Sequence, residues 1–372
     1  MIYIFIYYYL TFKLILYKIF LLHNTYITMY VFVLCIFIQK KEVFKMKEKI
    51  KVAIVGYGNL GKGVESQLSK NPDMELVCIF TRRDPSKLNV KSNVPVVSLK
   101  TIKDWQGKID VVFLCGGSAT DLPVQGPIIA SMFNTIDSFD THAKATNYAK
   151  SMDEACKKAG TIAMTSIGWD PGLFSNMRLL IKSILPNSKI YTFWGDGVSQ
   201  GHSDAIRRIS GVKNAIQYTL PVKEAMQKVR NGETPEFTKR EMHTRLCYVV
   251  AEDGANKVEI EEKIKNMPYY FDEYDTTVNF VTEEELLKSH SKLPHGGTVI
   301  GVGETTEGTK QVVEFSLNLD SNPEFTSSVL IAYARATYKM WQNGERGYKN
   351  FSDVPPKYLS NIDYNETIKN IL

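Results

Sequence analysis

From Lys51 onward, apolar positions fall into short β-branched runs separated by stretches of helical period, the alternation that predicts strand and helix in turn. Strands are expected at Lys51–Val55, Glu75–Phe80, Val111–Cys115, Thr135–Asp140 and Thr161–Ile167, with helices from Gly61 through Leu68, at Pro127–Phe133 and at Asn147–Ala159. Connections of this length make right-handed crossovers, so the strands should form one parallel, doubly wound sheet. A helix at Leu173–Leu185 leads away, and the pattern then changes to strands and hairpins. Tyr191–Trp194, Thr244–Val250, Thr276–Val281, Thr298–Val302 and Gln311–Leu317 are the expected strands, with an amphipathic helix at Ala255–Met267 and a polar, glycine-bearing hairpin loop at Glu304–Lys310. A long helix from Pro323 carries Val329, Tyr333, Ala336 and Met340 on one face, and a polar surface tail follows Tyr358.

The first strand runs directly into Gly56-Tyr57-Gly58-Asn59-Leu60-Gly61 and then a helix, the strand, glycine and helix order of a dinucleotide-binding turn. Gly56 permits the tight turn, Gly58 lets a pyrophosphate approach the backbone, and Gly61 lets helix and strand pack closely; the helix N-terminus then offers free N–H groups to phosphate. At the end of the second strand, where an NAD enzyme places a carboxylate for the ribose hydroxyls, stand Thr81, Arg82 and Arg83. Guanidinium forks suit a 2′-phosphate, so NADP is the expected cofactor; a solvated arginine pair beside Asp84 is the plainer alternative. The fold class is therefore α/β, a Rossmann-type doubly wound parallel sheet followed by an α+β substrate domain. Expected boundaries are 46–172 for the nucleotide domain, 173–320 for the substrate domain, and 321–372 for a C-terminal helix and tail packing back near the cleft.

Ligands bind beyond the carboxyl ends of such strands. Those ends carry Cys115-Gly116-Gly117-Ser118-Ala119-Thr120-Asp121, Asp140-Thr141-His142 and Gly168-Trp169-Asp170-Pro171-Gly172. Cys115 through Thr120, with Asp140 and Thr141, are thus candidate cofactor contacts.

Residues 1–45 follow another pattern. Their apolar runs, Ile2–Leu10, Leu14–Leu22 and Val31–Ile38, are broken by Lys13, Lys18, His23 and Asn24 and fall short of the roughly 20 residues of a membrane span. The uncharged start and the lack of Gly and Ala do not fit a secretory signal. Thirty-five of the 45 residues are Ile, Tyr, Phe, Leu, Lys, Asn or Met, the product of A/T-rich codons, which favours Met46 as the start of translation. A membrane anchor and a disordered or targeting segment are the other readings.

Composition narrows the rest. With 44% hydrophobic and 23% charged residues, collagen-like and mostly disordered chains are excluded. Of the net charge of +5, the first 45 residues carry +4, so the folded part lacks the basic excess of a nucleic-acid-binding surface. Five scattered cysteines without a CxxC pair suit a reduced cytoplasmic protein, with neither a disulfide framework nor a metal site expected.

The strings VAIVGYGNLGKGVE, IFTRR, FLCGGSATDLP, SFDTH, SIGWDPGLFS, TFWGDGVSQGHSDAIRRI, QYTLP, MPYYF, LPHGG and NPEFTSS, in this order, resemble the meso-diaminopimelate D-dehydrogenase family from about Lys49 to about Tyr358. The resemblance implies NADP-dependent, reversible oxidative deamination of meso-2,6-diaminopimelate at its D centre in cytoplasmic lysine synthesis. It also implies a substrate domain with a mixed sheet that supports a homodimer. By the same resemblance Asp140, Asp170, Trp169 and Trp194 surround the reacting centre, and Thr219, Arg245 and His295, with Asn322, grip the distal carboxylate. Gln200, Gly201 and Asp204 resemble further pocket residues.

A substrate with two carboxylates and two ammonium groups needs anions and donors at separated points, which this set supplies. Each residue also has a local reading: turn capping for Asp170 before Pro171-Gly172, a solvated strand position for Arg245, a turn for His295, and an N-cap for Asn322 before Pro323. Arg207 and Arg208 read as structural or interfacial. One of the carboxylates or a bound water must take the amine's proton, and that choice stays open. A broader D-amino-acid dehydrogenase and a non-catalytic, membrane-tethered NADP-binding protein are the alternative functions, the second opposed by the full set of site residues.

Overall fold

The computed structural model describes residues 49–362 and 364–371, Tyr364 by its backbone alone, so the readings of residues 1–45 lie outside the described residues. From Ile50 onward the described residues form one compact unit. Its strands are β1 Ile50–Val55, β2 Met74–Thr81, β3 Val96–Ser98, β4 Val111–Leu114, β5 Asn134–Asp137, β6 Ile162–Met164, β7 Lys189–Trp194, β8 Gly197–Val198, β9 Val212–Pro221, β10 His243–Ala251, β11 Asp275–Phe280, β12 His295–Thr306, β13 Thr309–Leu319 and β14 Gly347–Lys349.

Seven of them form a parallel sheet in the order β14-β6-β5-β4-β1-β2-β3. The reversal at β1 is the Rossmann arrangement, with its ligand crevice at the switch between β1 and β4. The central strands are buried on both faces, as their continuous apolar runs require. One face is covered by the helices Leu122–Ala130 and Ala145–Ala159. The helices Asn59–Leu68 and Asn322–Gln342 cover the other, where Leu330, Tyr333 and Met340 meet Val52, Ile54 and Phe113.

Strands β8 to β11 make a mixed sheet in the order β11-β10-β9-β8, parallel only between β10 and β11; β13-β12-β7 is antiparallel. The register sets Thr219 opposite Arg245 and Gly197 opposite Thr219, in one row across the mixed sheet. A Cβ on Gly197 would stand 2.5 Å from His295 Cα, so a glycine there lets the two sheets touch. The helix Leu173–Ile184 lies on the antiparallel sheet through Phe174 and Ile181, the latter filling the space over Gly301.

The expected strands β5 and β6 end early, at Asp137 and Met164, which frees the loops that carry Asp140 and Gly168 to Asp170. The buried Asp137 carboxylate organises these loops: it accepts from Phe139 N (3.0 Å), Ser166 N (3.2 Å) and the Tyr148 hydroxyl (2.7 Å). Burial pushes its pKa up to about 6. The expected helix Pro127–Phe133 instead spans Leu122–Ala130, and Ala255–Met267 shortens to Lys257–Lys265. Strands β3, β9 and β14 and the helices Gln200–Arg207, Lys223–Arg230 and Glu283–His290 were not expected, and the polar tail contains a helix, Tyr364–Ile371. Among the described residues, no helix is long and apolar enough to cross a membrane.

The C-terminal helix is tied to the nucleotide sheet by charge as well as by packing. Arg335, 4% exposed, donates to both oxygens of Asp73 (2.5 and 2.9 Å), to Asn71 Oδ1 (2.8 Å) and to Leu359 O (2.8 Å). Breaking a buried pair from one side strands the other charge, so Arg335→Leu should lower stability by about 3 kcal/mol, read as a fall in the urea midpoint at unchanged m-value.

Candidate active site

A cavity of about 500 Å³ opens between the carboxyl ends of the parallel sheet and the second half of the chain. Asp140, Trp169, Asp170, Trp194, Gln200, Gly201, Thr219, Arg245, His295 and Asn322 all line it, so residues spread over 183 positions meet at one place. Asp204 does not: its carboxylate is paired with Arg207 at the end of the Gln200–Arg207 helix, and Arg207 also donates to Ala215 O (2.7 Å), which makes this arginine structural.

At one end, the Asp170 carboxylate is not spent on capping its own turn. It accepts from Trp194 Nε1 (2.7 Å) and carries the Arg178 guanidinium (2.5 and 3.3 Å). Asp140 also lines the cavity, its backbone N–H on Ser118 Oγ (3.2 Å), and among the described residues no protein donor sits on its carboxylate. The two indoles form walls with their N–H groups already used: Trp169 Nε1 donates to Asn322 Oδ1 (2.9 Å), and Trp194 stacks on His243 at 5.3 Å. Asn322 is therefore not the N-cap that its place before Pro323 suggested; Ser321 holds that position, and the Asn322 amide faces Trp169 and Thr326.

At the other end Arg245, 7% exposed, lies 3.9 Å over the Tyr274 ring and donates through Nη1 to Thr219 Oγ1. Among the described residues its Nε has no partner, an unsatisfied buried donor of the kind an anionic ligand group completes. Burial lowers the pKa of His295, and Arg245 adds to the effect; its Nδ1 lies against Gly296 N (2.8 Å) and Gly296 O (3.0 Å). Burial and the same charge bring His202, which accepts or donates at Ser199 Oγ (2.7 Å), and His243, which accepts from Trp194 N (2.8 Å), down to about 4. Sequence reasoning missed Arg178, His202 and His243: His202 lies within a quoted string but was given no role, and Arg178 and His243 sit in no motif, brought here only by the Leu173–Ile184 helix and the start of β10.

The dinucleotide turn fits its ligand. Gly56 has φ +92°, and a Cβ on Gly61 would overlap the Gly56 oxygen. A Cβ on Gly58 would meet nothing within 4 Å, so open space lies over the N-terminus of Asn59–Leu68, whose first turn has neither a side-chain cap nor an acidic residue. That is a cradle for a pyrophosphate. The Tyr57 ring is buried on Glu65, which leaves Asn59 and Leu60 as cavity-lining members of the turn. Arg83 donates to Tyr57 O (3.1 Å), and its own N–H rests on Thr81 Oγ1 (3.1 Å); Arg82 pairs with Asp121 (2.8 Å) across the groove. Asp84 caps Ser86 and does not compete for either guanidinium. Burial holds the Cys115 thiol protonated, so in the loop Cys115, Gly116, Gly117, Ser118, Ala119, Thr120 this residue offers backbone.

A Rossmann sheet sharing one cavity with a second, anion-gripping half defines a nicotinamide-dinucleotide-dependent dehydrogenase of a small polar substrate. Residues 168–321 match the diaminopimelic acid dehydrogenase C-terminal domain. The meso-diaminopimelate D-dehydrogenase of Ureibacillus thermosphaericus is 59% identical over 312 residues, 84% of this chain and 96% of that protein. A crystal structure of a six-substitution meso-diaminopimelate dehydrogenase variant from Clostridium tetani with DAP superposes with a TM-score of 0.83 at 54% identity, covering 87% of this chain and all of that one. Its replaced Gln, Thr, Arg, Pro, His and Asn fall at the same spacing as Gln200, Thr219, Arg245, Pro294, His295 and Asn322. An engineered D-amino acid dehydrogenase bound to NADP+ gives 0.78 at 42% identity, with 87% and 100% covered. The chain belongs to the meso-diaminopimelate D-dehydrogenase family.

The buried histidines fix a pH trend. A histidine whose pKa falls from 6.5 unfolded to about 4 folded stabilises the fold fully above 6.5 and loses that contribution as pH drops toward 4. Thermal midpoints should therefore fall across this window. His243→Gln, which keeps an acceptor for Trp194 N without titrating, should flatten part of the fall.

Proposed function

We propose that this chain catalyses the NADP-dependent, reversible oxidative deamination of meso-2,6-diaminopimelate at its D centre: hydride passes to NADP+, water adds to the resulting imine, and L-2-amino-6-oxopimelate (in equilibrium with cyclic tetrahydrodipicolinate), ammonia and NADPH are formed, on the dehydrogenase route to lysine. The observation that carries the reading is the two-ended cavity: carboxylates and indoles at the strand ends, and an unsatisfied buried Arg245 with Thr219 and His295 opposite. Bound NADP+ supplies the acceptor for the Cα hydride. Arg245, Thr219 and His295 bind the distal carboxylate, with Asn322 beside them; Gln200 and Gly201 close the wall. Trp169 and Trp194 exclude water and hold the D-centre Cα–H in line, where alignment governs the rate. Asp170 and Asp140 hold the reacting ammonium, and Asp140, free of protein donors, takes its proton.

For the cofactor, Gly56 through Gly61 cradle the pyrophosphate and Thr81, Arg82 and Arg83 hold the 2′-phosphate, while the Cys115–Thr120 loop, Asp140 and Thr141 frame the nicotinamide side. The nucleotide-binding part runs to about residue 172 and is completed by β14 and the Asn322–Gln342 helix, while 173–320 serve the substrate and the contact in a homodimer. The reading places the enzyme in the cytoplasm.

NADPH formation by the full chain with meso-, LL- and DD-diaminopimelate and D-alanine, with NAD+ as control, tests the reading. Turnover of the meso isomer with NADP+ is expected; similar turnover of D-alanine would move it to a broad D-amino-acid dehydrogenase, and none at all would overturn it. Arg245→Leu should raise KM for meso-diaminopimelate about 10- to 100-fold, the loss of a charge-assisted contact, with KM for NADP+ unchanged. Arg83→Ala should weaken NADP+ about tenfold or more and leave NAD+ nearly unaffected, measured as the ratio of the two KM values.

A further inference from the structure

Arg178 stands on the Leu173–Ile184 helix, two turns beyond the Asp170-Pro171-Gly172 turn. Nη2 donates to Asp170 Oδ1 (2.5 Å) and Ser175 Oγ (3.1 Å), while Nη1 donates to Asp170 Oδ2 (3.3 Å) and Thr192 Oγ1 (3.2 Å). One guanidinium thus joins a helix, strand β7 and a cavity carboxylate. The Asp170 side chain is 7% exposed and that of Arg178 29%, so the pair is shielded from screening. A carboxylate has about four acceptor sites. Arg178 fills two and Trp194 Nε1 a third, which leaves a single acceptor for the cavity.

We propose that Arg178 is a positioning residue of the reaction, fixing the Asp170 carboxylate and, through it, the Trp194 indole, and cancelling one of the two negative charges at the reacting centre. The inference rests on the substrate reading above. The substrate arrives as an ammonium and must lose a proton before its Cα hydride can leave. Two uncompensated carboxylates would hold that proton in place, because a neighbouring anion favours the charged form. With Arg178 matched to Asp170, the ammonium faces only one uncompensated carboxylate, Asp140. Arg178 therefore acts on the chemical step and leaves the distal grip alone.

The test is the pH dependence of kcat, from pH 7 to 10.5, for the wild-type chain, Arg178→Met and Arg178→Lys with NADP+ and meso-diaminopimelate. The titratable or charged groups lining the cavity are Asp140, His142, Asp170, His202, Arg245 and His295, all shared by the three proteins. For Arg178→Met, kcat at pH 8 should fall about 10- to 100-fold, with KM for NADP+ unchanged. Its rising limb should move to higher pH by about one unit or more, since Asp170 now stabilises the ammonium. Arg178→Lys keeps the charge and loses the fork, so its limb should stay at the wild-type pH while kcat falls about three- to tenfold. Each variant is decisive alone if the other does not fold. An active wild type with Arg178→Met within twofold in kcat, a uniform loss without movement of the limb, or a shifted limb in Arg178→Lys would each overturn the positioning role. An inactive wild type would instead overturn the substrate reading.

Discussion

The helix Asn322–Gln342 lies against the phosphate-binding helix Asn59–Leu68 at a separation only glycine permits. A Cβ on Gly63 would run into the Ser327 side chain, whose hydroxyl instead donates to Leu60 O (3.1 Å) and Pro323 O (2.7 Å). The first residue of the same helix, Asn322, accepts from Trp169 in the cavity wall. One rigid rod therefore registers the cradle for the dinucleotide against the wall of the substrate cavity. Hydride transfer tolerates little misalignment. Arg335 on Asp73, one turn beyond the packed face, locks the rod to the start of β2.

Burial and charge act together in the cavity. Arg245 is the positive centre of the far end, and its field adds to burial in keeping His202, His243 and His295 neutral. Neutral imidazoles beside a guanidinium avoid like-charge repulsion and still offer donors and acceptors. Asp137 shows the opposite sign: a carboxylate raised to about 6 stabilises the fold at low pH and loses that contribution as pH climbs through 6. The histidines and this aspartate thus oppose one another between about pH 4 and 6.

The contiguous signals were legible in the sequence. Strand β1, the Gly56 to Gly61 turn and the arginines after β2 sit within about 30 residues, and each has a backbone reason to be what it is. The family likeness carried Asp140, Trp169, Asp170, Trp194, Thr219, Arg245, His295 and Asn322 to one cavity. What escaped depends on pairing over long separations. Strand β9 was hidden because two of its buried positions, Gln217 and Thr219, are polar, which breaks the alternation. Strand β14 is three residues long and exists only because β6 offers an edge. Arg178 looked like any helix-surface cation, and Asn322 carried an N-cap signature that Ser321 took over.

The touching of the two sheets at Gly197 and His295 makes Thr219, Arg245 and His295 one rigid pole, and the Asn322–Trp169 bond ties the opposite wall to the long helix. In the proposed reading, the pole that reads the distal carboxylate is built on strand rows and the pole that holds the reacting amine on the ends of a different sheet. The loops that carry Asp140 and Asp170 are pinned, by the Asp137 carboxylate and by Arg178, so the site works as a caliper. A diamino diacid one methylene shorter or longer than seven carbons would fill one jaw or the other, and its chain length would be sensed before any of its functional groups.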